Sequence, residues 1–295
     1  MAVIIDGKKV AEDIRAEVSE EVQSLKNDVR APHLTVILVG DDPASHMYVK
    51  NKGKDCEKVG INSETLNYPS NLKQVELIRL IQDLNVNPKV HGILVQLPLP
   101  DHIDENAIIK TISPEKDVDG FHPVNVGKLF SGANNGFVPC TPAGIVELLI
   151  RYHYPPEGKK VVIVGRSIIV GKPLGLLLLR KQDKRGNATV TLCHSRTPNL
   201  GEVTKTADIL VAAVGKPVLI KKDMIKKGAV IIDVGVNRVE DVSCKKGYRF
   251  IGDVDFDEVS QIAEAISPVP GGVGPMTRAL LLKNTLQAYR QKEGI

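Results

Sequence analysis

The chain has 295 residues, enough for one large or two ordinary domains with a substantial core. Lys plus Arg at 39 against Asp plus Glu at 35 leaves a net charge of +4, too small and too scattered for a nucleic-acid surface, and aromatics at 4 % with no Trp offer no stacking platform for bases. No apolar stretch approaches the roughly 18 residues of a membrane span and no signal-like segment opens the chain, which predicts a protein neither exported nor anchored in a membrane. Cys56, Cys140, Cys193 and Cys244 show no C-x-x-C spacing and read as reduced thiols in a cytoplasmic setting.

Taken in chain order, MAVIIDGKKVAEDIRAEV predicts a short strand and then an amphipathic helix over 8–27. LTVILVG (34–40), the weaker INSETLNY and GILVQLPLP (92–100) read as strands, with helices near 43–58, 71–84 and 104–112 between or beyond them. TPAGIVELLIRYH opens on a Thr141-Pro142 helix signal, ends near Pro155-Pro156, and is taken as the connection between two domains. A second series, VVIVG, ATVTLC, DILVAAVG and AVIIDVG, follows from Lys160, and a last helix over 276–291 packs back on the first domain. The expected fold is α/β, with an N-terminal α/β substrate domain over 1–145, completed by 276–295, and a Rossmann-like domain with a mostly parallel sheet over 146–275.

The run KVVIVGRSIIVGKP leads an apolar strand into a turn carrying Gly165, Ser167, Gly171 and Pro173. With Pro173 as the first helical residue, such a turn aims free backbone N–H groups and a helix dipole at one point, where a nucleotide phosphate fits. The pattern departs from G-x-G-x-x-G, because Ser167 replaces the middle glycine and Gly171 comes one residue late; glycine-rich turns also serve plain packing. The next strand ends in His194-Ser195-Arg196, where a reader of NAD carries a carboxylate for the ribose 2′-OH. A hydroxyl and a guanidinium there, with Arg166 in the turn, suit a 2′-phosphate instead and favour NADP, although each Arg alone reads equally as a solvated surface charge.

Ligands of open α/β sheets lie beyond the carboxyl ends of the strands. Four places there draw attention. Tyr48 and Lys52 share a helix face at i, i+4 just past LTVILVG; Gln96 ends an otherwise apolar run and must find partners; Asp117 and Asp119 share the turn KDVDGF. PVPGGVGP packs three Pro and three Gly into 268–275, a rigid loop whose backbone can approach a ligand closely. Each has an ordinary counterpart: Lys52 lies among Lys50, Lys54 and Lys58 on what could be a solvated face, Tyr48 could rim the core, and Asp119-Gly120 could be only a turn.

Taken together, YVKNK, GILVQLPLP, PEKDVDGFHPVNVGKL, VPCTPAG, VGRSIIVGKPLG and PVPGGVGPMT resemble the methylenetetrahydrofolate dehydrogenase/cyclohydrolase family across almost the whole chain. The resemblance implies NADP-dependent oxidation of 5,10-methylenetetrahydrofolate to the methenyl cation, hydrolysis of that cation to 10-formyltetrahydrofolate, and a homodimer joined through the cofactor domains. It implies that Tyr48 stacks along the folate rings, that Lys52 is the catalytic lysine with Gln96 as partner, and that Asp119 holds the amino-pyrimidine edge. Val95, Leu97 and Pro98, with Pro268, Gly271 and Gly272, would close the folate slot. Gly165, Arg166, Ser167, His194 and Ser195 fall where the family binds the adenosine ribose and its phosphate, and Gly215, Val236 and Thr277 fall beside the nicotinamide. Members that use NAD with a metal carry Arg directly after that histidine; here the position is Ser195, so NADP and no metal are expected.

Hydride loss from a carbon flanked by two nitrogens needs alignment more than acid or base, which agrees with a site lacking a His-Asp pair. Hydrolysis must move a proton, and Lys52 is the one candidate to do it. Rival readings are another two-domain dehydrogenase of shikimate or amino-acid type, a non-catalytic folate or nucleotide binder, and a dehydrogenase without hydrolase activity.

Overall fold

A computed structural model describes residues 2–25, 31–181, 184–241, 243 and 247–295. Its elements are β1 (Val3–Ile4), α1 (Gly7–Gln23), β2 (His33–Val39), α2 (Pro43–Val59), β3 (Asn62–Tyr68), α3 (Gln74–Val86), β4 (Gly92–Val95), α4 (Glu105–Thr111), α5 (Pro123–Ser131) and α6 (Cys140–Arg151). They continue with β5 (Lys160–Val164), α7 (Gly171–Leu179), β6 (Thr189–Cys193), α8 (Leu200–Thr204), β7 (Ile209–Ala212), β8 (Val230–Asp233), β9 (Asn237–Glu240), β10 (Tyr248–Ile251), α9 (Phe256–Val259), β11 (Ala265–Ile266) and α10 (Val273–Glu293). The chain divides into two compact units, Glu12–Cys140 with Arg278–Ile295, and Met1–Ala11 with Thr141–Thr277.

The first unit is built on a parallel sheet ordered β3-β2-β4. Strand β2 lies in the middle and is buried beyond its first residue, as the near-continuous apolar run LTVILV, broken only by Thr35, requires of a strand covered on both faces. Ile37, Val39, Ile93 and Val95 pack with Leu77, Ile81 and Ile108 from the helices into one core. An isolated parallel bridge between Ile93 and Asp117 extends the sheet by one position on the far side of β4. Strand order therefore reverses at β2 while every strand runs parallel, and the segments leaving β2, β4 and the Asp117 bridge emerge at the same sheet end.

The other unit holds a six-stranded, wholly parallel sheet ordered β1-β11-β8-β7-β5-β6. Its order reverses between β5 and β7, which creates a crevice at their carboxyl ends. The VVIV, ILVA and VIID runs are buried, matching strands covered by helices on both faces.

Several expectations change. The sequence places the N-terminal strand in the first domain, but β1 pairs with β11 and belongs to the six-stranded sheet, because ladder bonds at that sheet's edge satisfy backbone groups that two isolated residues would leave open. The division falls at Cys140 and Thr141 rather than 145, and α10 begins at Val273, three residues early. The first helix runs only over Gly7–Gln23, and residues 26 and 27 of the expected span lie outside the described residues, as does Cys244. Helix α5 was missed although His122 caps it through Nδ1, which accepts from Val124 N at 3.1 Å, and Pro123 opens it.

Candidate functional site

In the first unit, α2 starts where Asp42 accepts from Ser45 N at 2.7 Å with Pro43 in the first turn, and it stops at Gly60, whose left-handed conformation lets its N–H bond to the last carbonyls. The helix so placed carries Tyr48, Lys52 and Asp55 along one face leaving β2. Tyr48 is exposed, at 43 %. Lys52 is half-buried, and its Nζ donates to Gln96 Oε1 at 3.0 Å. Gln96 is held in turn: its backbone N–H donates to Ile37 O at 2.9 Å, extending the β2·β4 ladder, and its Nε2 donates to Leu97 O at 2.6 Å. The amide in an apolar run thus finds its partners, one of them the lysine. Val95 is buried, Leu97 half-buried and Pro98 exposed, and the Leu97–Pro98 peptide is cis.

The two aspartates of KDVDGF separate cleanly. Asp117 is buried and accepts from Asn125 Nδ2 and His122 N, each at 2.8 Å, and from Phe121 N at 3.2 Å; burial pushes its carboxyl up to about 7 against these bonds. It builds the turn. Asp119, half-buried and closely surrounded by protein, is displayed by that turn; among the described residues no donor reaches its carboxylate. Burial raises its pKa and the charge of Lys52 works in the opposite direction, so the two groups sense one another. Gly120, at φ +75, lets the turn lie against Pro139, whose N would be 2.7 Å from an added Cβ. Lys116 Nζ donates to Leu84 O and Asn87 O at 2.8 Å, which closes the end of α3 and explains why this buried lysine of the motif is structural.

Asn284 of α10 was not singled out in the sequence. It is buried, and its Nδ2 donates to Val118 O at 2.8 Å and Val138 O at 3.0 Å, tying the residue before Asp119 to the segment that packs on Gly120. Nothing local in the sequence signals it, since both partners lie more than a hundred residues away.

In the other unit, a concavity of about 280 Å³ opens at the reversal of strand order, lined by Gly165, Arg166, Ser167, His194, Ser195 and Lys216 among others. Gly165 has φ +133, and a Cβ there would lie 2.1 Å from Ala213 O; Gly171 meets the same limit 2.0 Å from Gly165 O. The turn and helix can therefore close this tightly only as glycines. The expected free N–H groups are otherwise arranged. Helix α7 starts at Gly171, so Pro173 is its third residue, and Ser167 Oγ accepts from Val170 N at 3.1 Å and Gly171 N at 3.4 Å. The serine in place of the middle glycine thus takes up the N–H groups of Val170, just before the helix, and of Gly171, its first residue. Arg196, expected beside Arg166, does not line the concavity; its backbone N–H donates to His194 Nδ1 at 3.1 Å, and Lys216 supplies the second cation.

Gly215 follows β7 at φ +65, and exposed Val236 follows β8. Two buried carboxylates missed in the sequence hold these loops. Asp253 accepts from Val214 N at 2.7 Å, Gly215 N at 3.0 Å and Asn237 Nδ2 at 3.0 Å, while Asp233 accepts from Gly235 N, Asp253 N and Val254 N. Thr277 Oγ1 lies 2.9 Å from Thr141 Oγ1. In the proline-glycine loop Gly272 N donates to Pro268 O at 2.8 Å, Gly271 O accepts from Lys8 N at 3.1 Å, and Val269–Pro270 is cis. Among the described residues no three His, Cys, Asp or Glu side chains gather as metal ligands would, and no helix is long and apolar enough to cross a membrane.

A parallel sheet with a glycine-shaped, cation-lined crevice at its switch point marks a nucleotide-dependent α/β enzyme whose first unit displays a lysine and a carboxylate. Comparison with known proteins narrows this class. Residues 5–119 match the tetrahydrofolate dehydrogenase/cyclohydrolase catalytic domain, and residues 139–293 match the NAD(P)-binding domain of the same family. The chain belongs to the tetrahydrofolate dehydrogenase/cyclohydrolase family. It is 55 % identical over 289 residues to the bifunctional protein FolD of Chloroherpeton thalassium, covering 97 % of this chain and 98 % of that one, and 56 % identical over 290 residues to that of Moorella thermoacetica, covering 98 % and 99 %. Among solved structures, FolD of Campylobacter jejuni superposes with a TM-score of 0.92 at 47 % identity, covering 99 % of each chain. The Trypanosoma brucei enzyme, solved with NADP and an inhibitor, superposes with a TM-score of 0.93 at 42 % identity, covering 100 % of this chain and 99 % of that one.

Proposed function

We infer that the chain oxidises 5,10-methylenetetrahydrofolate to the 5,10-methenyl cation with NADP and hydrolyses that cation to 10-formyltetrahydrofolate, as a bifunctional enzyme of one-carbon metabolism. The observation that carries the reading is the 3.0 Å contact from Lys52 Nζ to Gln96 Oε1, on a chain of this family, with Asp119 in electrostatic reach. When bound, NADP supplies the hydride acceptor. The crevice fits a phosphate-bearing nucleotide, since Gly165 lets the turn close tightly on the loop after β7, and Arg166, Ser195 and Lys216 line the crevice without a carboxylate to oppose a 2′-phosphate. Gly215, Val236 and Thr277 are assigned to the nicotinamide side.

For the folate, Asp119 accepts from the amino-pyrimidine edge, Tyr48 lies along the ring system, and the backbone from Val95 to Pro98 lines its path. In the oxidation these residues have to align the donor carbon, because its two nitrogens stabilise the cation themselves. In the hydrolysis, water adds to the methenyl carbon and gives up a proton, and a ring nitrogen takes a proton as its bond to that carbon breaks. Lys52 Nζ moves these protons, and Gln96 Oε1 keeps the amine pointed at the reacting carbon. Following absorbance of the methenyl compound with methylenetetrahydrofolate and either NADP or NAD tests the assignment: formation with NADP followed by decay to the formyl product supports it, and no turnover refutes it.

We also place the enzyme in the cytoplasm as a homodimer joined through the nucleotide-binding unit. Free, buried Cys56, Cys140 and Cys193 support a reducing compartment, and exposed Ile168, Ile169, Leu179 and Leu192 around the edge strand β6 support a covered surface. A monomer by sedimentation would contradict the dimer.

A further inference from the structure

The face of α2 that carries Lys52 also carries Asp55, one turn on, and at i, i+3 an ammonium and a carboxylate on a helix are natural partners. They are not partnered here. Lys52 Nζ turns to Gln96 Oε1 at 3.0 Å, and Asp55 Oδ2 lies 3.0 Å from Arg278 Nη1 of α10. Asp55 is 7 % exposed and Arg278 25 %, so this ion pair is largely withdrawn from water and is screened far less than the surface pairs of α10 with α1. Both Asp55 and Lys52 act on the buried Cys56 thiol, the aspartate raising its pKa and the lysine lowering it.

We propose that Arg278 is a positioning residue for hydrolysis: by engaging the Asp55 carboxylate it keeps that carboxylate from capturing Lys52, and so leaves the lysine to Gln96 and the substrate. A buried carboxylate stripped of its guanidinium takes another cation; Lys52 and Lys58 both stand three residues from Asp55 on α2, and Lys52 is half-buried where Lys58 is exposed, so Lys52 is the one drawn to the buried charge. The ion pair then acts by withholding a competitor, with no contact of its own to substrate. The proposal rests on Lys52 as the proton shuttle.

The test compares four full-length proteins, the wild type, Arg278→Met, Asp55→Ala/Arg278→Met and Lys52→Met, for hydrolysis of methenyltetrahydrofolate and separately for NADP-dependent oxidation, with thermal melting to confirm folding. Arg278→Met should lose about tenfold or more of its hydrolysis while oxidation changes by no more than about threefold, the asymmetry expected when a charged competitor removes a proton carrier but leaves the slot intact. Asp55→Ala/Arg278→Met removes the competitor as well and should recover hydrolysis to within about threefold of wild type, which loss of packing alone would not do. If Arg278→Met hydrolyses at the parent rate, or the double variant is no better than the single one, the proposal is wrong while Lys52 keeps its role. If Arg278→Met fails to fold, the double variant decides alone: parent-like hydrolysis supports the proposal and a tenfold loss overturns it. Undiminished hydrolysis by Lys52→Met overturns both the proposal and the reading beneath it.

Discussion

Replacing Asn284 removes a side chain that ties two backbone carbonyls around Asp119. Its Nδ2 donates to Val118 O at 2.8 Å and Val138 O at 3.0 Å, and all three residues sit in the interior or at its margin. Asn284→Leu keeps much of the volume and leaves both carbonyls without this donor. With a net contribution of about 1 kcal/mol per bond and a larger penalty for each acceptor left dry, the loss should total about 2–5 kcal/mol. At roughly 2–4 °C per kcal/mol for a chain of this size, the melting temperature should fall by roughly 4 to 20 °C. Asn284→Asp should be worse than Asn284→Leu, because it turns a carboxylate oxygen toward the same two carbonyls. The stability loss is read by urea unfolding. The consequence for the site is read by the KM for methylenetetrahydrofolate, which should rise as Asp119 loses its setting while the KM for NADP holds. Asn284→Asp no less stable than Asn284→Leu would refute the hydrogen-bond account and leave only packing.

Three shorter predictions accompany it. Arg166→Ala should raise the KM for NADP far more than that for NAD, measured by initial rates with each; a preference of the wild type for NAD would show that Arg166 and Ser195 do not read a 2′-phosphate. Asp119→Ala should bind NADP as before by calorimetry but bind folate weakly, through loss of charge-assisted bonds of about 1.5–3 kcal/mol each, and unchanged folate affinity would remove its assigned role. His91 is buried with its pKa lowered from 6.5, first by burial and then by the charge of Lys292, with Glu293 opposing and His33 adding. Below pH 6.5 the unfolded chain binds a proton that the folded chain resists, so wild-type stability should fall relative to His91→Gln as pH drops, by at most about 1.4 kcal/mol per pH unit. Asp117 and Asp233 titrate in both proteins and cancel in the difference; parallel stability curves between pH 7.5 and 5 would contradict the effect.

What could be read from the sequence were signals carried by neighbours along the chain. The buried runs LTVILV, GILV, VVIV and VIID announce parallel strands, and the spacing of Tyr48 and Lys52 puts them on one face of α2. Gln96 could be singled out because an amide in an apolar run needs partners, and the structure supplies them. What could not be read depends on residues brought together by folding. The two-residue strand β1 has no periodicity to report that its ladder partner is β11, at the other end of the chain. Asp233 and Asp253 look like ordinary turn residues until Val214, Gly215 and Gly235 present their N–H groups to them. Lys216 replaces Arg196 at the crevice because the loop after β7, and not the one after Ser195, turns inward. Arg278 means nothing in sequence without Asp55.

The account turns on one division of labour, in which Lys52 moves protons for hydrolysis and oxidation needs only alignment. Lys52→Met keeps most of the stem volume and removes the ammonium, so the contact to Gln96 Oε1 is lost and the folate slot should survive. Single-turnover absorbance of methenyltetrahydrofolate made from methylenetetrahydrofolate and NADP separates the two steps in one trace. The account predicts that the methenyl compound still forms at a measurable rate and then persists, with hydrolysis slowed by roughly 10²-fold to 10⁴-fold. Decay at the wild-type rate would contradict it and leave Lys52 as a solvated lysine on a helix face.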